Sequence, residues 1–333
     1  MEYITRVKLC ILNTVYYIQS MKVLVTGGGG FIGSHIVKQL LEQGHEAVVF
    51  DDFSTNPKSE NYGSATIIEG DVKDIELVKK SLEGVDAVIH MASFISVEES
   101  VKNPISYLDN NVLGTASVLT AMRESGVKKI VFSSSATVYG QPESLPIIEN
   151  APLSAANPYA ATKIASEAIC ESFAKTDGFE VSVLRYFNPY GPWENHQPET
   201  HVIPNFILAG LEKRPVPLYW KGEQVRDFIY VEDLAAAHIA VLGKARGHRV
   251  EGRGGFEVYN VGSEQGTKII DVLNALSDIL GYNLEIEDRG ERLGDVMANY
   301  ASSSKLQEAT GWQAKVDLKE GLKQTVEWFK DKQ

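Results

Sequence analysis

Residues 23–33 read VLVTGGGGFIG, and this stretch decides the fold. Val23 to Val25 lie in a short apolar run closed by glycine, the pattern of a strand buried on both faces. Phe31, Ile32, Ile36, Val37, Leu40 and Leu41 then recur at helical spacing, and Gly44 is placed to end that helix. Gly27, Gly30 and Gly33 stand three apart between strand and helix. Glycine-rich turns often serve tight packing alone, but a preceding strand and a following helix are the context a dinucleotide fingerprint requires. In that reading Gly27 permits the turn, Gly30 admits a pyrophosphate, and Gly33 lets helix and strand pack closely. The helix N-terminus supplies N–H groups and partial positive charge to the phosphates.

Asp51 closes the second strand, EAVVFDD, eighteen residues beyond Gly33. An acidic side chain there hydrogen-bonds the adenosine ribose hydroxyls and repels a 2′-phosphate, so NAD is favoured over NADP. The alternative is a solvated acidic turn, since DDFS is also good turn chemistry.

Outward from this unit the pattern alternates. ATIIEGD, DAVIHMA, KKIVFSSS and VSVLRYFN read as four more strands, with helix-like segments between most of them. That order implies an α/β fold with a doubly wound, parallel, Rossmann-type sheet and a smaller C-terminal substrate-binding domain. NPYGPWENHQPETHVIP reads as a cleft-forming loop, and GKARGHRVEGRGGF as an exposed basic loop. Later helices are expected around Ile269 to Leu280 and over Leu318, Leu322, Val326 and Phe329. The expected division is an N-terminal extension at 1–20, an NAD-binding domain at 21–189 plus about 226–262, and a nucleotide-sugar domain at about 190–225 plus 263–333.

A chain of 333 residues with 44% hydrophobic and 23% charged residues is an ordinary globular protein. Its formal charge of −12 argues against sequence-independent nucleic-acid binding. It leaves room for an anionic substrate held by a local arginine cluster. Two cysteines, Cys10 and Cys170, give no disulfide framework and no thiolate metal site. Arg6 and Lys8 precede an apolar stretch that superficially resembles a signal peptide. Asn13 and Thr14 break that stretch, no clear cleavage site follows, and it is too short to span a bilayer, so a cytoplasmic protein without membrane association is expected.

NPYAATKIASE puts Tyr159 and Lys163 four apart on one helix face. A lone Tyr–Lys pair is common on surfaces. This one follows the strand ending in SSSATVYG, whose Ser135 falls at the sheet's C-terminal edge, where ligands of such sheets bind. Tyr159 is then the acid or base for a sugar hydroxyl, with Ser135 on the same oxygen. Lowering a phenol from ~10 to ~7 takes about 4 kcal/mol of phenolate stabilisation, which the Lys163 ammonium and a positive nicotinamide ring could provide.

TGGGGFIG, HMAS, SSSATVYG, YAATK, RYFNPYGP and VRDFIYVEDLA, in this order from about residue 21 to the C-terminus, resemble the extended short-chain dehydrogenase/reductase family. Within it the chain is similar to nucleotide-sugar epimerases of the UDP-glucose 4-epimerase type. The resemblance implies reversible C4 epimerisation of a UDP-hexose through a 4-keto sugar with bound NAD. The UDP-glucose/UDP-galactose pair, and by extension the N-acetylhexosamine pair, are the implied substrates. It also implies a homodimer joined through a four-helix contact that includes the Tyr159 helix. Ser135, Tyr159 and Lys163 are the implied catalytic set. Asp71 and Val72 would flank the adenine, His90, Met91 and Ala92 would line the cofactor, and Asn111 would support the catalytic helix. Phe31, Ile32, Asp52, Ser133 and Tyr186 join the implied NAD contacts. Asn188, Arg226 and Arg292 would face the substrate diphosphate, which suits bidentate guanidinium, although such arginines are also common surface ion-pair partners. Asn299, seven residues beyond Arg292, falls at a pocket-wall position where some relatives carry tyrosine. Ala136 and Thr137 replace the acidic residue that related dehydratases and decarboxylases usually carry there. HMASFIS departs from the usual pattern and leaves Ser96 as the candidate sugar contact. A dehydratase or reductase acting on another nucleotide sugar is the rival enzyme. A catalytically silent dinucleotide sensor is the rival from another class, and the intact Ser135, Tyr159 and Lys163 set opposes it.

Overall fold

The structure is a computed structural model that describes residues 6–11, 14–56, 58, 62–194, 201–243, 254–291 and 296–332. Its centre is a seven-stranded, all-parallel sheet. In chain order the strands are β1 (Lys22–Thr26), β2 (Glu46–Asp51), β3 (Thr66–Glu69), β4 (Ala87–His90), β5 (Lys129–Ser135), β6 (Glu180–Tyr186) and β7 (Gly255–Val261). They lie in the order β7-β6-β5-β4-β1-β2-β3. The order reverses between β1 and β4, so the crevice opens there, at the carboxyl ends of the strands.

Side-chain alternation builds a core on each face. Val23, Val25, Val49 and Ile89 point to one face, against the helices Phe31–Glu42 and Val231–Gly243. Leu24, Val48, Phe50 and Val88 point to the other, against Gly114–Ser125 and Pro158–Asp177. Both faces being covered explains why these strands read as unbroken apolar runs.

A separate core gathers Phe206, Ile207, Val216, Leu218, Leu273, Leu276, Leu322 and Val326. It is built from the helices Val202–Leu211, Ile269–Leu280 and Leu318–Asp331 and the strands Val216–Leu218 and Val225–Tyr230. Leu306 and Trp312 pack instead on the first core, where the Trp312 indole donates to the Asp233 carbonyl at 3.0 Å.

Several expectations are corrected. A seventh strand exists at Gly255–Val261, so Gly255 and Phe256, read as the end of a loop, open a strand beside β6. Residues 244–253 of that basic segment lie outside the described residues. The proline-rich segment is not loop throughout: Asn188–Tyr190 pairs in parallel with Phe228–Tyr230, and Val202 begins a helix. Residues 195–200 lie outside the described residues. Ahead of the sheet, Arg6–Ile11 and Thr14–Gln19 form an antiparallel hairpin in a sheet of its own. Among the described residues no helix is long and apolar enough to cross a membrane.

Candidate active site

The glycine turn is shaped as its spacing requires. Gly27 has φ +69°, and a Cβ there would meet the Ala92 nitrogen at 2.7 Å. A Cβ on Gly33 would stand 2.2 Å from the Gly27 carbonyl oxygen. Gly30 differs: its Cβ would meet only the Gly27 oxygen, at 3.3 Å, so its open side faces the crevice. No side chain caps the helix that starts at Phe31, and its first turn carries no acidic residue. An uncapped helix N-terminus beside a bare glycine is a cradle for phosphate oxygens.

Asp51 stands at the end of β2. Its two oxygens accept from the Gly29 and Phe53 amides, each at 2.8 Å, so it also fastens the glycine turn. Burial raises its carboxyl, offset by those two amide bonds. Each oxygen keeps a further lone pair for a ribose hydroxyl. Asp52 accepts from Ser54, Asp71 from the Lys73 amide, and Val72 is buried beside Gly114.

His90 is redirected. Its ring is 1% exposed, with Nδ1 2.7 Å from Thr26 Oγ1 and Nε2 3.1 Å from Thr115 Oγ1. Burial lowers its pKa to about 3. The imidazole is a neutral brace between β1, β4 and the Gly114–Ser125 helix. Met91 and Ala92 are the side chains this strand end leaves partly exposed.

At the end of β5 the three serines take separate partners. The Ser133 carbonyl accepts from Lys163 Nζ at 2.9 Å. Ser134 Oγ donates to Glu167 Oε1. Ser135 Oγ lies beside the Tyr159 hydroxyl, whose ionisation it favours, and accepts from Thr137 Oγ1 at 3.0 Å. Tyr186, the last residue of β6, pairs in register with Ser135, and Ser133 Oγ lies 3.2 Å from His238 Nε2. Asn157 caps the Tyr159 helix, accepting from the Ala160 amide at 2.9 Å, and Pro158 occupies its first turn. Asn111, in the π-helical turn Leu108–Leu113, bonds both Phe94 and Thr162, which ties that helix to the segment after β4.

The expected low phenol pKa is not a property of the chain alone. Burial pushes Tyr159 up to about 12, with the Ser135 bond acting in the opposite direction. Burial also lowers Lys163 to about 8. Charge that ionises Tyr159 near neutrality therefore has to arrive with ligands.

The residues expected on the substrate side lie on and beside the strand Val225–Tyr230. Arg226 pairs in register with Asn299, so their side chains leave the same sheet face, and Gln224 precedes Arg226 with the same alternation. Asn299 Oδ1 and Gln224 Oε1 are both buried without a hydrogen-bond partner, which suits a polar ligand on this face. Asn188 is committed to the Asp227 carbonyl at 2.9 Å. Ser96 serves as a helix cap, accepting from the Glu99 amide at 3.2 Å, and keeps its hydroxyl hydrogen to donate. Arg292 lies outside the described residues.

The sequence reading missed Asp227. Its buried carboxylate accepts from Ser263 N, Ser263 Oγ, Glu264 N and Ala301 N at 2.7–3.2 Å. It fastens the segment carrying Asn299 to the strand carrying Arg226. Its place directly after Arg226 was the available signal. Glu167, Arg185, Tyr139 and Asn260, which form a buried polar network behind Ser134, were missed as well.

The profile of the NAD dependent epimerase/dehydratase family matches residues 23–262. A UDP-glucose 4-epimerase from Lactobacillus helveticus is 38% identical over 310 residues, covering 89% of this chain and 92% of the relative. A solved UDP-glucose 4-epimerase from Bifidobacterium longum, in complex with NAD+ and UDP, matches with a TM-score of 0.85 at 32% identity, covering 93% of this chain and 98% of that one. A UDP-N-acetylglucosamine 4-epimerase from Methanobrevibacter ruminantium, in complex with UDP-N-acetylmuramic acid, matches with a TM-score of 0.85 at 34% identity, covering 95% and 100%.

Proposed function

The chain belongs to the NAD dependent epimerase/dehydratase family, and from that footing we propose that it reversibly inverts C4 of a UDP-hexose. The observation that carries this reading is Tyr159 on the helix that also places Lys163 Nζ 2.9 Å from the Ser133 carbonyl, with Ser135 beside the phenol, at the edge of a glycine cradle fit for a dinucleotide. Bound NAD supplies the acceptor and later the donor of the C4 hydride. Tyr159 takes the proton of the C4 hydroxyl and returns it to the inverted alcohol, while Ser135 holds the same oxygen. From a phenol near 12, which already includes the favourable influence of Ser135, ionisation at pH 7 needs about 7 kcal/mol of further phenolate stabilisation from the bound ligands. The 4-keto sugar is free to turn about its diphosphate linkage because Arg226 holds the nucleotide side.

We assign 21–189 with about 226–262 to cofactor binding and about 190–225 with 263–333 to the nucleotide sugar. The separate core around Phe206, Val216 and Leu276 supports a second unit.

Asn299 sets the size of the sugar accepted. Its side chain is short and its Oδ1 lacks a partner, so the wall leaves space and a hydrogen-bond acceptor for a 2-acetamido group. Wild type is expected to turn over UDP-N-acetylgalactosamine as well as UDP-galactose, and Asn299→Tyr is expected to lower the kcat/KM ratio for the acetamido sugar about tenfold or more. An unchanged ratio in the variant excludes Asn299 as the gate, and no turnover of either sugar by wild type overturns the functional reading.

The homodimer is assigned to the face beside the Tyr159 helix. Val101 is 62% and Ile105 74% exposed there, with Leu108 and Leu113 also exposed on the same stretch. Wild type is expected to sediment at twice the chain mass and Ile105→Glu as a monomer. A monomeric wild type contradicts this assignment.

A further inference from the structure

Behind the catalytic pair lies a closed chain of buried polar groups to which the mechanism above gives no task. Glu167 stands one helical turn beyond Lys163 and two beyond Tyr159, so the three line one face of the Pro158–Asp177 helix. Glu167 is 3% and Arg185 4% exposed. Arg185, on β6, reaches both carboxylate oxygens, with Nε 3.0 Å from Oε1 and Nη2 on Oε2, and Ser134 Oγ adds a third donor. Arg185 Nη1 continues to the Tyr139 hydroxyl at 3.1 Å, and that hydroxyl donates to Asn260 Oδ1 on β7 at 2.6 Å. A carboxylate this deep stays ionised only with such partners.

Resting on the functional reading above, we propose that Glu167, fixed by Arg185 and Ser134, is a positioning residue that keeps Lys163 cationic and aimed at the Ser133 carbonyl. Apart from the Arg185 guanidinium, the other groups facing this lysine carry no charge near neutrality. On its own helix, Tyr159 is held up at about 12 and Cys170 is pushed up by burial. From β4, burial lowers His90 to about 3. From β6, burial raises Tyr186, and Arg185 is spent on Glu167. From the Val231–Gly243 helix, His238, bonded to Ser133 Oγ, is lowered to about 4. Tyr107, facing Tyr159, is likewise raised by burial. Burial alone drives Lys163 towards neutrality, and the Glu167 carboxylate is the largest opposing influence.

The test uses the NAD-loaded protein with 13Cε-labelled lysine, the Lys163 resonance being assigned by its loss in Lys163→Met. Removing the carboxylate in Glu167→Gln lowers the lysine's pKa, so its titration midpoint and the alkaline limb of kcat are expected to fall together by about one pH unit. Above both midpoints that is about a tenfold loss of kcat, with KM for UDP-galactose within about twofold. Breaking a buried pair destabilises more than removing it whole, so Glu167→Gln with Arg185→Met keeps the test open if the single variant fails to fold. The double variant also removes the Arg185 cation, so it is expected to shift downward by less than the single variant, and Glu167→Asp to keep the wild-type midpoint. An active enzyme whose midpoint and limb stay in place in the folded variants overturns the coupling. A shifted midpoint in a protein that does not epimerise UDP-galactose supports the coupling and overturns the functional reading.

Discussion

Tyr159→Phe is expected to lower epimerase turnover by about 10²-fold or more, the range for loss of an acid/base group, while UDP binding stays within a few-fold of wild type. The substitution removes one oxygen from a ring that is 7% exposed and keeps the packing. It leaves Ser135 with its Thr137 bonds and Lys163 with its Ser133 carbonyl, so neighbouring geometry is preserved. Stopped assays of UDP-galactose conversion and calorimetry with UDP separate the two quantities. Turnover near the wild-type rate in a verified variant excludes the phenol as the proton carrier.

The other large effect is expected at the glycine turn, where two substitutions of one methyl group should part company. In Gly33→Ala the new Cβ would stand 2.2 Å from the Gly27 carbonyl oxygen and 2.8 Å from the Gly28 Cα, both backbone atoms that cannot swing away. Helix and strand must separate, which costs about 1–3 kcal/mol or more of stability. The N–H groups at the helix start move with them, and NAD affinity is expected to fall about 10²-fold or more, as for two lost charge-assisted hydrogen bonds. Gly30→Ala meets only one atom, at 3.3 Å, so thermal stability without cofactor is expected to hold while NAD binding falls. Thermal melts with and without NAD give both readings. Equal loss of apo stability in the two variants contradicts the distinction drawn between close packing at Gly33 and ligand approach at Gly30.

Much of this was legible because local and global signals agree. Strand β1, the Phe31 helix and the turn between them announce themselves by apolar period and glycine spacing, and the five next strands follow by alternation. Strand β7 was hidden because its first residues, Gly255 and Phe256, continue a basic, glycine-rich run, and only pairing with β6 makes them a strand. His90 was legible as a residue of the cofactor strand. Its burial between Thr26 and Thr115 depends on two elements distant in sequence. The capping role of Ser96 was not legible, because it depends on the short helix that begins at Val97. The Glu167–Arg185 pair joins a helix and a strand eighteen residues apart, and neither residue is unusual in its own segment. The cost of burying the Tyr159 ring was not legible, because motif chemistry names the stabilising charges and leaves out burial.

The most direct measurement of the central claim follows the hydrogen at C4. UDP-galactose carrying deuterium at C4 is incubated with the NAD-loaded enzyme in ordinary water, and the product is read by mass spectrometry and proton NMR. The account predicts UDP-glucose of unchanged mass with the deuterium still on C4, since the hydride leaves and returns to the same carbon. A product lighter by one water with the label on another carbon, as a dehydratase would give, or loss of the label to solvent, would contradict it.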